Sequence, residues 1–271
     1  MNVMNAKIKL LGGLLFPAIM LSVNPVVGQA ETAEEIMEKN FVINKVSDSR
    51  SETTMILTNK SGKERVRKTF GTTKLQKNGL DNMRMTRFLE PTDVRGMVSL
   101  LIEQSTKDDD IWLYLPSLKK VRRLVSSNKK DSFVGTDFSY GDVIGHKVKE
   151  WKHTIVGEEE IDGFMCHIIE STPIDETVAR NTGYSKRVGW IHKDNYVSRK
   201  AEMYNLSGSL YKQMRFLNIE LVEPDRNKWY AKEFQAKNVI SGHSTVIKVD
   251  KLEVNVGVKD SFFTTRYMES E

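Results

Sequence analysis

The chain has 271 residues, with 41 Lys and Arg against 36 Asp and Glu and a formal net charge of +5. So small a basic excess is not the footprint of a nucleic-acid-binding surface. Cys166 is the one cysteine, which excludes an internal disulfide framework, so the fold must hold through a core that a chain of this length can supply.

The first stretch is a targeting segment. Lys7 and Lys9 precede an apolar run over 10–23, and Gly28-Gln29-Ala30 places small residues at a cleavage spacing. This pattern predicts a secretory signal peptide over 1–30, cleaved after Ala30. The apolar run is shorter than the roughly 20 residues of a membrane span. Residue 31 is Glu rather than Cys, so no lipid anchor is expected on the mature chain. Loss of Lys7 and Lys9 leaves 39 basic against 36 acidic side chains, a net charge of +3. The mature chain, 31–271, shows no repeat, linker or low-complexity segment, and predicts a single domain.

Thr32-Ala33-Glu34-Glu35 is a capping box, and Ala33, Ile36, Met37 and Phe41 recur at helical spacing. One amphipathic helix is therefore expected, ending near Val46. From Ser51 onward the period changes to two. Strands are expected over 53–58, 64–75, 83–88 and 96–102. A hairpin follows around Pro116, formed by Ile111-Trp112-Leu113-Tyr114-Leu115 and by Lys119-Lys120-Val121-Arg122-Arg123-Leu124. Phe133-Val134-Gly135-Thr136-Asp137-Phe138-Ser139-Tyr140-Gly141-Asp142 then reads as an aromatic loop with a helix-cap signal. Beyond it, strands are expected over 150–158 and 165–171, joined by the tight turn Asp162-Gly163. Residues 173–182 read as irregular. Further strands cover 188–192, 197–204, 210–216, 217–222, 229–234 and 244–255, and a short last turn falls at 260–263.

About a dozen sequential strands with short turns and no alternating βα pattern make an all-antiparallel meander, sandwich or barrel. Such a sheet encloses more volume than side chains easily fill. Few helices are on offer to fill it, and the chain's twelve methionines suit an adaptable apolar lining. Composition by itself favours an ordinary, fully packed core.

Asp93-Val94-Arg95-Gly96, Asp110-Ile111-Trp112-Leu113-Tyr114-Leu115-Pro116, Val121-Arg122-Arg123-Leu124 and the stretch from Gly135 to Asp142 resemble the outer-membrane lipoprotein-sorting protein family. The resemblance covers essentially the whole mature chain. It implies a mainly β fold like that of LolA and LolB: a half-open antiparallel β-barrel of about 11 strands, with a few helices lidding a hydrophobic cavity. It also implies a periplasmic carrier that shields lipid or lipoprotein acyl chains during transfer. Its implied partners are an RND-type transporter of the inner membrane and an outer-membrane acceptor.

Strand alternation assigns the candidate lining. The aliphatic Leu113 and Leu115 are expected to face the cavity, with Met83, Met85 and Leu100 from earlier strands. Trp112 and Tyr114 are expected at its mouth or on the outer face under the aromatic loop. Phe133, Phe138 and Tyr140 are expected to turn inward and cap the open end. Cys166, among Phe164, Met165, Ile168 and Ile169, reads as a buried, inert thiol.

No catalytic residue is expected. His146, His153, His167, His192 and His243 form no HxH or HxxxH pair, Asp108-Asp109-Asp110 lacks the alternating ligands of a calcium loop and reads as a solvated turn, and no GxSxG elbow or phosphate-binding loop is present. The sequence thus predicts a non-enzymatic protein without metal or cofactor. The basic residues Lys119, Lys120, Arg122, Arg123, Lys129 and Lys130 either face solvent or form a rim for anionic head groups. Asp137 and Asp142 are candidates to pair with Arg122 or Arg123. The competing functional reading is an adaptor with a filled barrel that docks on an envelope exporter.

Overall fold

In the computed structural model, residues 1 and 30–270 are described. The predicted signal peptide, apart from its two end residues, lies outside the described residues. Helix α1 (Ala33–Ile43) opens the described fold. The Thr32 hydroxyl accepts from the Glu35 N–H at 3.2 Å, and the Glu35 carboxylate accepts from the Thr32 N–H at 2.8 Å, closing the capping box.

Thirteen strands follow in one antiparallel sheet: β1 (Asp48–Thr58), β2 (Glu64–Leu75), β3 (Asn82–Glu90), β4 (Val98–Ile102), β5 (Asp110–Leu115), β6 (Lys120–Leu124), β7 (Trp151–Ile161), β8 (Phe164–Pro173), β9 (Tyr184–His192), β10 (Ser198–Asn205), β11 (Leu210–Glu223), β12 (Lys228–Asn238) and β13 (Ser244–Val254). The count exceeds the expected eleven. The expected runs 210–216 and 217–222 are one strand, β11. Asn218 takes a positive φ of 53° and drops out of the β11–β12 ladder between Leu217 and Ile219. Residues 173–182 are not all irregular. The Asp175 carboxylate caps α3 (Glu176–Thr182) by accepting from the Thr177 and Val178 N–H groups at 2.7 and 2.9 Å. The Asp162-Gly163 turn joins β7 to β8 with positive φ at both residues, 53° and 83°.

The spatial order is β6-β5-β4-β3-β2-β1-β13-β12-β11-β10-β9-β8-β7. The first and last strands of the chain pair at the centre, and the two sheet edges are β6 and β7. The sheet is therefore not closed. β6 and β7 are consecutive in sequence, so the segment 125–150, which holds α2 (Tyr140–Ile144), must pass from one edge to the other. It does so over the concave face. Phe133, Tyr140 and Ile144 pack with Met55, Phe88, Leu101, Ile111 and Leu124 of one half. Phe138 packs with Trp151, Tyr184, Met203, Met214 and Ala236 of the other. Helix α1 covers the far end through Ile36 and Met37 against Val148, Ile169 and Ile191.

The convex face of β3–β5 is also apolar, and it has its own cover. Met85, Val98 and Leu100, with half-buried Met83, Trp112 and Tyr114, pack under Val258, Phe263 and Met268 of the C-terminal segment, which ends in α4 (Thr265–Met268). Lys74 ties this segment down through the Val258 carbonyl at 2.8 Å and the Asp260 carboxylate at 2.6 Å. Met268 is fully buried. Met268→Ala is expected to lower unfolding free energy by about 2–5 kcal/mol, read by urea denaturation, as for other buried Met truncations; an unchanged midpoint would mean that the C-terminal cover is dispensable.

Candidate functional site

The sheet, α1 and the segment 125–150 enclose a cavity of about 320 Å³, at the lower end of the range of small-molecule sites. Its two walls differ. On β1–β3 the lining is mostly small and polar, with Ser51, Thr53, Thr69, Gly71, Thr73 and Thr86 beside Met55, Asn82 and Arg84. The register stacks them directly, Ser51 opposite Gly71 and Gly71 opposite Thr86. On β10–β13 it is large and apolar: Met203, Met214, Phe216, Phe234, Ile247 and Val249. Small side chains opposite large ones leave the space that a uniform core would fill.

Of the expected lining residues, Phe133 and Phe138 reach the cavity. Tyr140 is buried but packs edge-on against Phe133, ring centres 5.4 Å apart. Met83, Met85 and Leu100 lie on the convex face. The ladder explains this, because Met85 is opposite Leu100 and Leu100 opposite Trp112, and directly opposed residues share a face. Met83, Met85 and Leu100 thus belong with Trp112 and Tyr114, not with Leu113 and Leu115. Trp112 and Tyr114 are on the outer face, but under the C-terminal segment rather than the aromatic loop. Leu113 is opposite Ser99, itself opposite Thr86, so Leu113 and Leu115 take the concave side, outside the cavity lining.

A buried polar cluster sits where α2 meets the sheet. The Ser139 hydroxyl caps α2 by accepting from the Asp142 N–H at 3.0 Å, and the Asp142 carboxylate accepts from the Ser139 N–H at 2.9 Å. Lys212 of β11 donates to the Asp142 carboxylate at 2.6 Å and to the Tyr184 hydroxyl at 2.9 Å. Tyr184 in turn donates to both Asp142 oxygens at 3.1 Å. The Asp142 and Lys212 side chains are only 1% and 3% exposed. Burial alone would push the Asp142 carboxyl up, but the Lys212 charge and His146 hold it well below the usual carboxylate range. Burial likewise opposes the Lys212 charge, and Asp142 and Tyr184 reverse this, so Lys212 is raised. Burial and the Arg187 charge lower His146 from its ordinary 6.5 to about 4.

The acids expected to fix the loop to Arg122 or Arg123 therefore do otherwise. Asp142 takes Lys212, Asp137 accepts from the Thr245 hydroxyl at 2.8 Å, and Arg123 pairs with Asp110 at 2.7 Å. The acidic turn is not wholly solvated either, because Asp109 is buried and pairs with buried Lys129 at 2.6 Å. At the other end of the cavity, Lys45 and Glu103 form a buried ion pair. Burial pulls Lys45 down and pushes Glu103 up, each opposed by its partner's charge. Asp142–Lys212–Tyr184 and Lys45–Glu103 escaped the sequence reading. Their members are 28 to 70 residues apart in the chain, and isolated Lys, Asp and Tyr carry no local pattern. Cys166 is fully buried, and burial raises its thiol. Among the described residues, no three His, Cys, Asp or Glu side chains gather in a metal-holding group.

A family model described as an uncharacterized protein matches residues 80–270. A structure described as an outer membrane lipoprotein-sorting protein domain from Vibrio parahaemolyticus is similar, with 28% identity, a TM-score of 0.80, and coverage of 88% of this chain and 98% of its own. So is a DUF1329 family protein from Desulfovibrio piger, with 29% identity, a TM-score of 0.79, and coverage of 87% and 97%. A LolA superfamily protein from Nitrosomonas europaea shares the fold at 22% identity and a TM-score of 0.67, over 88% of this chain and all of its own. No curated protein matches the chain.

Lys212→Met strands the Asp142 carboxylate in the interior and is expected to cost about 3–5 kcal/mol of stability. Adding Asp142→Asn should restore much of the loss, which thermal or urea unfolding of the three variants measures. A second outcome concerns pH. His146 stays neutral in the folded chain down to about pH 4, whereas the unfolded chain protonates it near 6.5. Folding is then favoured fully above the unfolded value and loses about 3 kcal/mol as pH falls through this window. Melting temperatures from pH 7 to 4 should fall less steeply for His146→Gln; parallel curves would remove His146 from the effect.

Proposed function

The chain belongs to the family of uncharacterized proteins whose model matches residues 80–270, and with its lipoprotein-sorting, LolA-like fold as premise we propose that it is a non-enzymatic carrier of lipid or lipoprotein acyl chains. The observation that carries this reading is the cavity. Its Met203, Met214, Phe216, Phe234, Ile247 and Val249 wall offers an acyl chain an apolar surface. Each buried CH₂ contributes about 0.8 kcal/mol, so even part of a chain held there would bind usefully.

The carrier works in the periplasm, after removal of residues 1–30. Among the described residues, no helix is long and apolar enough to cross a membrane. Cargo is received from an RND-type exporter at the inner membrane and passed to an outer-membrane acceptor. Methionine and phenylalanine side chains suit this work, because Met repacks around different chain lengths at small cost. The segment 125–150 forms the cover over the concave face and must yield as cargo enters or leaves. It is anchored by two buried ion pairs, Asp142–Lys212 and Asp109–Lys129, and a few aromatic rings rather than by strand pairing.

The test is chemical. The exported protein, recovered with Glu31 as its first residue, should release acyl-bearing lipid into an organic extract read by mass spectrometry. Gly189 lines the cavity, and a Cβ there would meet only the Ile191 Cδ1 at 3.4 Å. Gly189→Leu should therefore fold and carry several-fold less lipid. An empty extract from the natural chain, with no uptake of added lipid, would favour the adaptor role instead.

A further inference from the structure

Two buried N–H donors in the cavity wall have no partner among the described residues. The Nε1 of Trp151 and the Nε of Arg187 are both shielded from solvent and make no hydrogen bond. They are neighbours: the Arg187 guanidinium lies over the Trp151 ring, 4.9 Å from its centre. Both side chains line the cavity. Trp151 begins β7, next to the point where the segment 125–150 ends, and Arg187 stands on β9. The register places Arg187 opposite Ser171 on one side and Met203 on the other, and both of these also line the cavity. Arg187 therefore sits at the β9 border of the methionine and phenylalanine wall, beside the polar Ser171 of β8.

The chemistry of the pair is one-sided. An indole offers only a donor, and a guanidinium offers five donors and no acceptor. The acid whose charge Arg187 feels most is Asp142, and Asp142 is already held by Lys212 and Tyr184. Burial lowers Arg187 only to about 10, so it is charged at neutral pH. A buried charge without an anionic partner is costly, and an unmade buried hydrogen bond adds to that cost. The missing element is an acceptor with negative charge, and the apolar wall beside it fits the tail of the same molecule.

We propose that Arg187 and Trp151 form the head-group site of the cavity and bind the anionic oxygens of a carboxylate or phosphate at the end of an acyl amphiphile. The assignment rests on the carrier reading and narrows it. Neutral lipids lack the charge that the Arg187–Trp151 pair is built to meet. The guanidinium plane can present two donors to two oxygens of one head group, and the indole N–H supplies a third. The tail then follows Met203 toward Phe216 and Phe234.

The experiment compares two probes that differ only at the head, hexadecanoate and hexadecanol, by titration calorimetry on the delipidated protein at neutral pH, with inorganic phosphate as a tailless anion. Wild type should bind hexadecanoate at least about tenfold more tightly than hexadecanol, the scale of a charge-assisted hydrogen bond. Arg187→Gln should erase that ratio, Arg187→Lys should keep part of it, and Trp151→Phe, which keeps the ring but removes the donor, should reduce it. Thermal melts report folding, and if Arg187→Gln fails to fold, Arg187→Lys and Trp151→Phe decide by the same ratio. An unchanged ratio in these variants, or equal affinities in wild type, overturns the head-group site while leaving the carrier intact. Binding of phosphate as tight as that of hexadecanoate would make the site one for a small free anion and overturn the amphiphile assignment. If neither amphiphile binds wild type, the carrier reading fails and the head-group site falls with it.

Discussion

The constraint on which the structure depends is the placement of its two free edges. Strands consecutive in sequence, β6 and β7, lie at opposite ends of a 13-stranded sheet. The 26 residues between them, 125–150, have no strand to pair with, so they must be held by side chains. Several buried groups do the holding, Lys129 with Asp109 and Asp137 with Thr245 among them. Asp142, Lys212 and Tyr184 satisfy one another in the interior, and the α2 cap at Ser139 uses the same carboxylate. A buried pair of this kind is weak support for stability in itself, because desolvation offsets the attraction. It is better suited to fixing where the segment lies, since any other position would leave Asp142 and Lys212 buried and unpaired.

The segment then creates the cavity rather than filling it. A sheet this large curls around more space than its own side chains occupy. Phe133 and Phe138 reach down from the cover, and α1 closes the end with Ile36 and Met37. Between them, the serine, threonine and glycine floor on β1–β3 faces the bulky wall on β10–β13. Polar groups of the lining on β7 and β8 find partners locally, as His153 does with the Ser171 hydroxyl at 2.8 Å. Arg187 and Trp151 do not, and so they mark the part of the wall that is incomplete as a core.

The opposite face of β3–β5 shows the same physics with a different outcome. Met85, Val98 and Leu100 would be exposed on the convex side, and the C-terminal segment folds back to cover them. Strands β3 to β5 are thus buried on both faces. Their sequences carry large apolar residues at odd and even positions alike: Met85 and Phe88, Leu100 and Leu101, Ile111 and Trp112.

Local chemistry was legible in the sequence. The Thr32–Glu35 box, the Asp162-Gly163 turn, the long strand β2 and the all-antiparallel plan each follow from a few neighbouring residues, and each occupies its expected place. The inward turn of Phe133 and Phe138 was legible too, because two large rings in a small polar loop have nowhere else to be buried. What the sequence could not decide was which face of β3–β5 is the inside. Alternation identifies two faces but names neither when both are apolar, and the cover over the convex side comes from residues near 260, well over a hundred positions away. The same holds for Asp142 with Lys212 and for Arg187 with Trp151, whose meaning lies in partners brought together, or withheld, only when the sheet curls. Periodicity is a property of neighbours in the chain, whereas a cavity is a property of strands that meet across it.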